Sequence, residues 1–447
     1  MENGIHFGTD GIRGEVGKHP FTPQALINIG KAIAAWSKQK YNSEPKFLIV
    51  NDTRISCENI KNFIKTGLNY FNVKHVDAGI LPTPANLAIL KNNPDFDFGI
   101  VISASHNKFS DNGIKIFDKK NSKLSELDEK TIELYFAEFS AEKVNEPSYF
   151  QDLSFSPKTS LEFKEQYKQN ILQQVQPGLL QGLKIVLDCA NGATYEVAPE
   201  IFKILGATVI DVSTSPNGIN INDNCGALHT KTMQKTILEN NADFGFAFDG
   251  DGDRVMCANH KGEIKDGDDL LAILSTHPQH ENLKTVVGTI MTNFGLQVYL
   301  DSQNIELIRT SVGDKYIMAK LEEQNLLLGG ETSGHIIIKN YLNTGDGIFA
   351  ALKTLETVLK TNNFELQSFE KYPQVILNVP IKEKRNLSEG IYAQIINEQQ
   401  QKMNHGRVIV RYSGTENLLR IMTEDKSSSL ANNIASTLAQ ELQKVLN

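Results

Sequence analysis

The sequence predicts an α/β protein in which three similar mixed-sheet domains and a smaller α+β C-terminal domain surround a central cleft. Three observations support this fold class. A chain of 447 residues is too long for one hydrophobic core and implies three or four domains. Short apolar segments alternate with longer helical patterns, as in strand–helix–strand units. The alternation occurs three times, and the pattern changes beyond Tyr372.

Composition limits the classes of function. Apolar residues make up 40% and charged residues 22% of the chain, which is typical of globular proteins. The net charge of -8 is not accompanied by a basic stripe, which argues against binding to nucleic acid or a membrane. With no secretory or membrane-spanning segment, we expect a cytoplasmic protein. The four cysteines form no C-x-x-C pair, so neither zinc binding nor a disulfide framework is predicted.

The repeated units account for the predicted strands in chain order. The first unit has strands near 46–51, 75–79 and 97–103. The second has them near 184–188, 208–212 and 243–248, and the third near 285–292, 305–310 and 326–330. The C-terminal unit has a strand near 375–380, a helix from about Asn386 and a strand pair near 407–411 and 418–423.

The last strand of each repeated unit precedes that unit's most polar loop. Ser-Ala-Ser-His-Asn follows the first, Asp-Gly-Asp-Gly-Asp-Arg the second and Gly-Gly-Glu-Thr-Ser-Gly-His the third. Ser105 and Asp251 occupy equivalent places in the first two loops. Ligands of parallel α/β sheets bind beyond the carboxyl ends of the strands, so the three loops are predicted to share one site.

The first loop offers a nucleophile. Ser105 combines a hydroxyl with the neighbouring imidazole of His106, an arrangement suited to covalent catalysis. Serine-rich loops after strands also serve as helix caps, which is the alternative interpretation. No G-x-S-x-G elbow is present, so an acyl-transfer hydrolase is not supported. Lys115 follows a few residues later and gains weight only together with the other loops.

The second loop indicates a metal site. Asp249, Asp251 and Asp253 alternate with glycines, and such a segment can curl around one hard cation such as Mg²⁺. A calcium-binding EF-hand is excluded, because Arg254 stands where that loop needs glycine and His260 where it needs glutamate. Three protein ligands leave coordination positions for phosphate oxygens, so a phosphoryl group on Ser105 would lie beside the ion.

The third loop is suited to binding a sugar. Glu331 supplies a carboxylate and Ser333 a hydroxyl, both able to hydrogen-bond vicinal sugar hydroxyls, and flanking glycines permit close approach. An ordinary β-turn is the alternative for this segment.

A fourth polar loop, in the C-terminal unit, is suited to binding an anion. Its backbone and hydroxyls would form a nest, and its arginines a bidentate clamp. A hairpin turn would explain the glycine of this loop but not its flanking arginines. The segment contains Arg411, Ser413, Gly414, Thr415 and Arg420.

With these loops in order, the sequence resembles the α-D-phosphohexomutase superfamily over essentially its whole length. Phe-Gly-Thr-Asp-Gly-Ile-Arg-Gly at 7–14 and Ser-Ala-Ser-His-Asn at 103–107 are similar to its phosphoglucosamine mutase branch, and Gly-Asp-Gly at 345–347 agrees. The resemblance implies four domains around a central cleft. Their expected ranges are 1–153, 154–254, 255–370 and 371–447.

The resemblance also implies roles for individual residues. Ser105 would be the phosphorylated serine and, with Asp249, Asp251 and Asp253, a ligand of one Mg²⁺ per chain. The residues expected near the reacting groups are Arg13, Lys115 and Arg254. The residues expected to bind substrate are Glu331, Ser333, His335, Arg411, Ser413, Gly414, Thr415 and Arg420. Lys108, Tyr412 and Asn417 replace prolines of the family pattern, which affects loop stiffness but removes no ligand.

The implied reaction interconverts glucosamine 6-phosphate and glucosamine 1-phosphate through a 1,6-bisphosphate, in the synthesis of UDP-N-acetylglucosamine. The expected partner is a small-molecule sugar phosphate, glucosamine or glucose 1,6-bisphosphate is a candidate activator, and a homodimer is the candidate assembly. The nearest alternative is a phosphomannomutase or phosphoglucomutase, which would share the catalytic residues and differ in its sugar contacts. A metal-dependent phosphatase and a non-enzymatic sugar-phosphate sensor are more distant alternatives.

Overall fold

The computed structural model describes residues 4–41, 44–119, 123–141, 155–403, 405–413 and 417–446. Over these ranges the strands form four sheets, one in each of four successive units of the chain. The predicted fold class is confirmed: three units contain mixed sheets flanked by helices, and the fourth is a smaller α+β unit.

The first unit contains a sheet of order β1-β5-β4-β2-β3, in which β4 is central and β2 runs parallel to its neighbours β3 and β4. β5 pairs antiparallel with β4, and β1 pairs antiparallel with β5. β2 and β4 are almost wholly buried because helices cover both faces of the sheet, which explains their continuous apolar sequences. The elements are β1 Ile12–Glu15, α1 Pro23–Lys40, β2 Lys46–Asn51, α2 Cys57–Tyr70, β3 Lys74–Ile80, α3 Thr83–Asn92, β4 Phe98–Ile102, β5 Asp111–Asp118 and α4 Glu126–Ala141.

The second unit repeats this plan, with strand order β10-β9-β8-β6-β7. Its elements are α5 Leu161–Leu172, β6 Lys184–Asp188, α6 Val197–Ile204, β7 Thr208–Val212, α7 Lys231–Asn240, β8 Phe244–Phe248, β9 Val255–Asn259 and β10 Ile264–Lys265. Because β9 pairs with β8 and β10 pairs with β9, the sheet continues past residue 254. We therefore propose that this unit ends after Lys265 rather than at 254.

The third unit has strand order β12-β11-β13-β14. Its first helix starts with a capping box, in which the Asp266 side chain accepts from the Asp269 amide and the Asp269 side chain accepts from the Asp266 amide. The elements are α8 Gly267–Ser275, β11 Thr285–Thr289, α9 Phe294–Ser302, β12 Glu306–Thr310, α10 Asp314–Glu323, β13 Leu328–Gly330, β14 Ile336–Ile338 and α11 Gly347–Thr361, with a short 3₁₀ turn at Pro278–His280.

The fourth unit is an antiparallel sheet of order β15-β17-β16 with two helices. The predicted helix is present but begins at Gly390, so its predicted start at about Asn386 was wrong. The Asn386 side chain accepts a hydrogen bond from the Ser388 amide at 3.1 Å, which makes a turn instead of the first helical residues. The elements are β15 Gln374–Pro380, α12 Gly390–Gln400, β16 Gly406–Tyr412, β17 Leu418–Asp425 and α13 Ser428–Leu446.

The first three units share a feature that positions the site. In each, the last parallel strand is followed by an antiparallel partner, and the polar loop joins the two: β4 to β5, β8 to β9 and β13 to β14. Ser105, Asp251 and Ser333 are each the third residue after the first strand of the pair. The predicted equivalence of Ser105 and Asp251 is confirmed, and Ser333 extends it to the third unit.

The cores differ between the units. A single buried cluster includes Val50 of the first unit, Phe246 of the second and Leu352 of the third, so these units pack through continuous apolar contacts. The fourth unit has its own cluster, which includes Leu419 and Leu438. The first three units therefore form one packed body, and the fourth unit has a hydrophobic core of its own.

Candidate active site

A cavity of about 640 Å³ lies where the three polar loops meet. A volume of this size accommodates a small polar molecule such as a sugar phosphate. The predicted residues that line it come from all three units and are Arg13, Asp253, Arg254, Glu331, Ser333 and His335. His106 also lines the cavity beside the loop that carries Ser105.

Ser105 is the third residue after β4 and lies in the first loop. Its φ of 52° is in the left-handed region, which is unusual for a residue other than glycine. The side chain is fully buried, and its Oγ donates a hydrogen bond to Asp249 Oδ2 at 2.6 Å. The Ser105 amide donates to Ser103 Oγ at 2.9 Å. The backbone strain thus turns the Ser105 hydroxyl toward the acidic loop, which a simple helix cap would not do.

His106 is the other polar neighbour of the serine hydroxyl. Its Nδ1 lies 3.3 Å from Ser105 Oγ. Burial, together with the positive charges of Arg254 and Arg13, lowers the pKa of His106 to about 4. The imidazole is therefore neutral at pH 7. A neutral ring can exchange a hydrogen bond with the serine oxygen without adding a charge.

The three aspartates of the second loop form a buried cluster that fits a divalent cation. One ligand atom from each lies within 4.8 Å of the others. Burial and the two neighbouring carboxylates raise the pKa of Asp249 well above its usual range. Asp251 Oδ1 and Asp253 Oδ1 are buried and make no hydrogen bond to any described residue. Buried carboxylate oxygens that make no hydrogen bond are suitable ligands for a hard cation. Ser105, the fourth predicted ligand, joins the cluster through Asp249.

Lys115 lies on β5 rather than on a loop, and it contacts the acidic cluster directly. Its Nζ is 2.8 Å from Asp251 Oδ2 and 3.3 Å from Asp253 Oδ2. Asp10 Oδ2 lies 2.9 Å from the same nitrogen. Burial alone would lower the pKa of Lys115, but these three carboxylates raise it well above its usual value. Lys115 is therefore a fixed positive charge beside the acidic loop.

Asp10 was not among the predicted site residues, although it lies in the quoted 7–14 segment. Its Oδ2 accepts a hydrogen bond from Arg13 Nη2 at 2.5 Å, and Lys123 Nζ lies 2.7 Å from Oδ1. Lys123 also contacts Asp314 of the third unit at 2.6 Å. This chain of charges links the first unit to the third beside the cavity, whose wall includes Asp10 and Asp314. Lys123 and Asp314 have no local sequence motif, so only their positions in the fold could have identified them.

The third loop places its predicted residues at the cavity. Glu331 Oε1 accepts a hydrogen bond from the Gly313 amide at 3.0 Å. His335 Nε2 accepts from the Gly345 amide at 3.0 Å, which leaves its Nδ1 facing Asp253 at 3.7 Å. Ser333 Oγ finds no hydrogen-bond partner in the described part of the chain. A buried hydroxyl without a partner in the cavity wall is suited to a ligand hydroxyl.

Two arginines provide positive charge in the cavity wall. Burial opposes the charge of Arg254, but Asp253 and Asp249 raise its pKa above the usual value. The Nε atoms of Arg254 and Arg13 are buried and have no hydrogen-bond partner among the residues that the structure describes. Both arginines line the cavity, and guanidinium groups in a cavity wall are suited to binding phosphate oxygens.

Among the residues that the structure describes, those lining this cavity belong to the first three units, so the described residues of the fourth unit lie apart from it. Arg411 on β16 is the cross-strand partner of Arg420 on β17. Burial and the nearby charge of Arg420 lower the pKa of Arg411. Ser413 Oγ is buried and makes no hydrogen bond to a described residue. The predicted residues Gly414 and Thr415 lie outside the described residues.

The three residues that replace prolines of the family pattern each accept a hydrogen bond from another segment of the chain. Tyr412 ends β16, and its hydroxyl accepts a hydrogen bond from the Arg385 amide at 2.8 Å. The Asn417 carbonyl accepts from the Ile381 amide at 3.1 Å. The Lys108 carbonyl accepts a hydrogen bond from the Arg54 guanidinium. These contacts tie the loop segments to neighbouring elements where proline would have restricted the backbone itself.

Sequence models of four successive domains match this chain. They are the phosphoglucomutase/phosphomannomutase alpha/beta/alpha domains I, II and III, at residues 4–143, 163–262 and 266–373, and the C-terminal domain at 376–441. The phosphoglucosamine mutase of Teredinibacter turnerae is 40% identical over 444 residues, which cover 97% of this chain and 98% of that protein. Each of the four polar loops falls in a different one of these domains.

Solved structures share the fold. A phosphoglucomutase/phosphomannomutase family protein of Burkholderia thailandensis has a TM-score of 0.77 at 20% identity, covering 98% of this chain and 97% of its own. The N-acetylphosphoglucosamine mutase of Aspergillus fumigatus, in complex with GlcNAc-6P and magnesium, has a TM-score of 0.64 at 16% identity, covering 99% and 96%. In the described part of this chain, no helix is both long and apolar enough to cross a membrane.

Proposed function

This chain belongs to the phosphoglucomutase/phosphomannomutase family, and on that premise we propose that it interconverts glucosamine 6-phosphate and glucosamine 1-phosphate. It is a phosphohexose mutase, an enzyme of the isomerase class. Full-length identity of 40% to a phosphoglucosamine mutase supports the amino sugar as substrate and a place in UDP-N-acetylglucosamine synthesis. The observation that carries the proposed chemistry is the 2.6 Å contact between Ser105 Oγ and Asp249 inside the acidic cluster.

The proposed chemistry is phosphoryl transfer from phosphorylated Ser105 to a sugar hydroxyl. The bond between Ser105 Oγ and phosphorus breaks, the bond between phosphorus and the sugar oxygen forms, and the hydroxyl proton ends on Ser105 Oγ. Lys115 is protonated and 2.8 Å from Asp251, so it can stabilise negative charge on the transferring phosphoryl group. The 1,6-bisphosphate then reorients end for end in the site and returns its other phosphoryl group to Ser105.

The proposed metal is one Mg²⁺ per chain, held by Asp249, Asp251, Asp253 and the phosphorylated Ser105. When bound, it would neutralise negative charge on the phosphoryl group during transfer. The buried, unpartnered oxygens of Asp251 and Asp253 support this site, as does the magnesium complex of the Aspergillus enzyme. Glucose 1,6-bisphosphate, which is bound in another complex of that enzyme with a serine-to-alanine change, is the proposed activator beside glucosamine 1,6-bisphosphate.

Substrate preference can be measured directly with the purified protein. In the presence of Mg²⁺ and a trace of glucose 1,6-bisphosphate, we expect kcat/KM for glucosamine 6-phosphate to exceed that for glucose or mannose 6-phosphate by at least about tenfold. A hydrogen bond to a charged group contributes about 1.5 to 3 kcal/mol of free energy. A difference of this size between two sugars corresponds to at least about a tenfold preference in kcat/KM. Faster conversion of mannose or glucose 6-phosphate would instead support the phosphomannomutase or phosphoglucomutase alternative.

The phosphate loop of the fourth unit provides a second prediction. We expect Arg411→Ala to raise KM for glucosamine 6-phosphate by about tenfold and to slow turnover, because the non-reacting phosphate loses a charge-assisted contact in both binding orientations. The variant should also depend more on added bisphosphate, since the intermediate escapes more readily. Arg385→Ala is the matched control, because this arginine lies in the same unit with 58% of its side chain exposed. An unchanged KM in Arg411→Ala would contradict the proposed phosphate contact.

A further inference from the structure

We propose that Arg54 and Asn222 are positioning residues that hold the backbone of the Ser105 loop from two sides and so align Ser105 with the metal loop. The inference rests on the proposed function, because it concerns the same serine. Neither side chain lines the cavity, so neither is expected to contact the sugar phosphate. Both instead donate hydrogen bonds to main-chain carbonyls of the loop.

Arg54 binds the loop from within the first unit. Its side chain is fully buried, and its Nη2 donates to the carbonyl oxygens of Ser105 at 3.0 Å and Asn107 at 2.8 Å. Its Nη1 donates to the Asp111 carbonyl at 3.0 Å and also to the Lys108 carbonyl. One planar guanidinium thus fixes four carbonyls spread over seven residues, which the single ammonium of a lysine could not match.

Asp52 fixes the orientation of that guanidinium. Its Oδ2 accepts from Arg54 Nε at 2.9 Å and from Ser103 Oγ at 2.6 Å. Ser103 Oγ in turn accepts from the Ser105 amide at 2.9 Å. Ser105 is therefore tied to the same buried ion pair through both its carbonyl and its amide. This double attachment explains how the residue is held in its strained left-handed conformation.

Asn222 binds the loop from the second unit. Its Nδ2 donates to the carbonyls of Ser105 at 2.9 Å and Asn107 at 3.1 Å, the same two that Arg54 Nη2 binds. A carbonyl oxygen has two lone pairs, so the two donors together satisfy each oxygen. The metal loop meets the same point, because a Cβ added to Gly250 would lie 2.6 Å from the Ser105 carbonyl and 2.8 Å from Asn222 Nδ2.

These contacts join three segments at the Ser105 carbonyl: the serine loop, the metal loop and the Asn222 loop. Phosphoryl transfer depends on the alignment of the attacking and leaving oxygens, and a displacement of about 1 Å can cost roughly 10²-fold in rate. Loss of the hydrogen bonds from Arg54 or Asn222 should therefore lower kcat. The cavity that binds the sugar keeps its lining, so KM should stay nearly constant.

The test is Asn222→Asp, which keeps the size of the side chain and tolerates the φ of 57° at this position. The change places a carboxylate oxygen against two carbonyl oxygens in place of a donor. We expect kcat to fall by about 10- to 100-fold with KM for glucosamine 6-phosphate within about twofold. The rate of Ser105 phosphorylation by glucose 1,6-bisphosphate, followed by intact mass, should fall in parallel. Asn222→Ala, which removes the donor without adding repulsion, should have a smaller effect in the same direction.

Asn224→Asp is the matched control, because Asn224 lies in the same loop with a φ of 53° and is exposed. Its kinetics should equal those of the wild type, and circular dichroism melting should show that both variants fold. A normal kcat in Asn222→Asp, a loss expressed mainly in KM, or an equal loss in Asn224→Asp would overturn the inference. Wild-type turnover and Ser105 phosphorylation are measured alongside. If the wild type is active and phosphorylated and the Asn222→Asp variant has a normal kcat, only the positioning role is overturned. The proposed function is then unaffected.

Discussion

Ser105→Ala is expected to reduce turnover of glucosamine 6-phosphate by at least roughly 10³-fold, because removal of a covalent nucleophile leaves only the contribution of binding and electrostatics. The structure gives no substitute carrier at this point, since Ser103 Oγ is already bonded to Asp52 and to the Ser105 amide. Initial rates with saturating substrate and added bisphosphate would measure the loss.

Two controls make this result specific to Ser105. Ser110→Ala removes a hydroxyl from the same loop that makes no hydrogen bond to a described residue, so it should retain nearly normal activity. Peptide mass spectrometry of the wild type should locate the phosphate at Ser105 and find none there in Ser105→Ala. Near-normal turnover in that variant, or a stable phosphate only at Ser103, would place the nucleophile elsewhere.

Removal of the metal is expected to have the second largest effect. Exhaustive chelation should reduce turnover by about 10²-fold or more, since a bound cation contributes several kcal/mol of charge stabilisation to phosphoryl transfer. Added Mg²⁺ should restore it. The three buried carboxylates repel one another without a cation, so Mg²⁺ should also raise the melting temperature of the wild type. That thermal shift is measured without substrate and reports on the site independently of activity.

Substitution separates this site from other acidic residues. Asp251→Asn should remove most of the Mg²⁺-dependent rise in melting temperature and slow turnover together, because the same oxygens would hold the ion and stabilise transfer. Asp211→Asn is the control, since its carboxylate is 41% exposed and lies on β7 away from the cluster. Full activity after chelation, or a normal thermal shift in Asp251→Asn, would contradict the metal site.

The sequence was sufficient to predict the repeated units and the loops that carry the site. Hydrophobic periodicity identified strands such as β2 and β8 because both are fully enclosed and therefore continuously apolar. The polar loops were recognised because Gly-rich segments with clustered carboxylates or hydroxyls are unusual directly after such strands. The placement of these loops in one cavity followed from the repeat, which puts each at the same edge of its sheet.

Contacts between distant segments could not be predicted in the same way. Lys115 could be singled out only together with the other loops, because a lone lysine in a sequence usually indicates a solvated surface charge, whereas here it is buried on β5. Arg54 and Lys123 are charged residues without a motif, and an isolated charge in a sequence usually indicates solvent exposure. Their burial depends on partners more than 50 residues away, such as Ser105 for Arg54 and Asp314 for Lys123. Only the folded chain brings these charges together.

In the proposed reaction, Ser105 transfers its phosphoryl group to a sugar phosphate and takes the other phosphoryl group back. It is tested most directly by loading wild-type Ser105 with ³²P, adding unlabelled glucosamine 6-phosphate and Mg²⁺, and following the label. We expect the label to pass into glucosamine 1,6-bisphosphate and then into both monophosphates, with isomerised sugar phosphate in excess over inorganic phosphate. Label released mainly as inorganic phosphate, with no glucosamine 1-phosphate formed, would contradict it and identify the protein as a phosphatase.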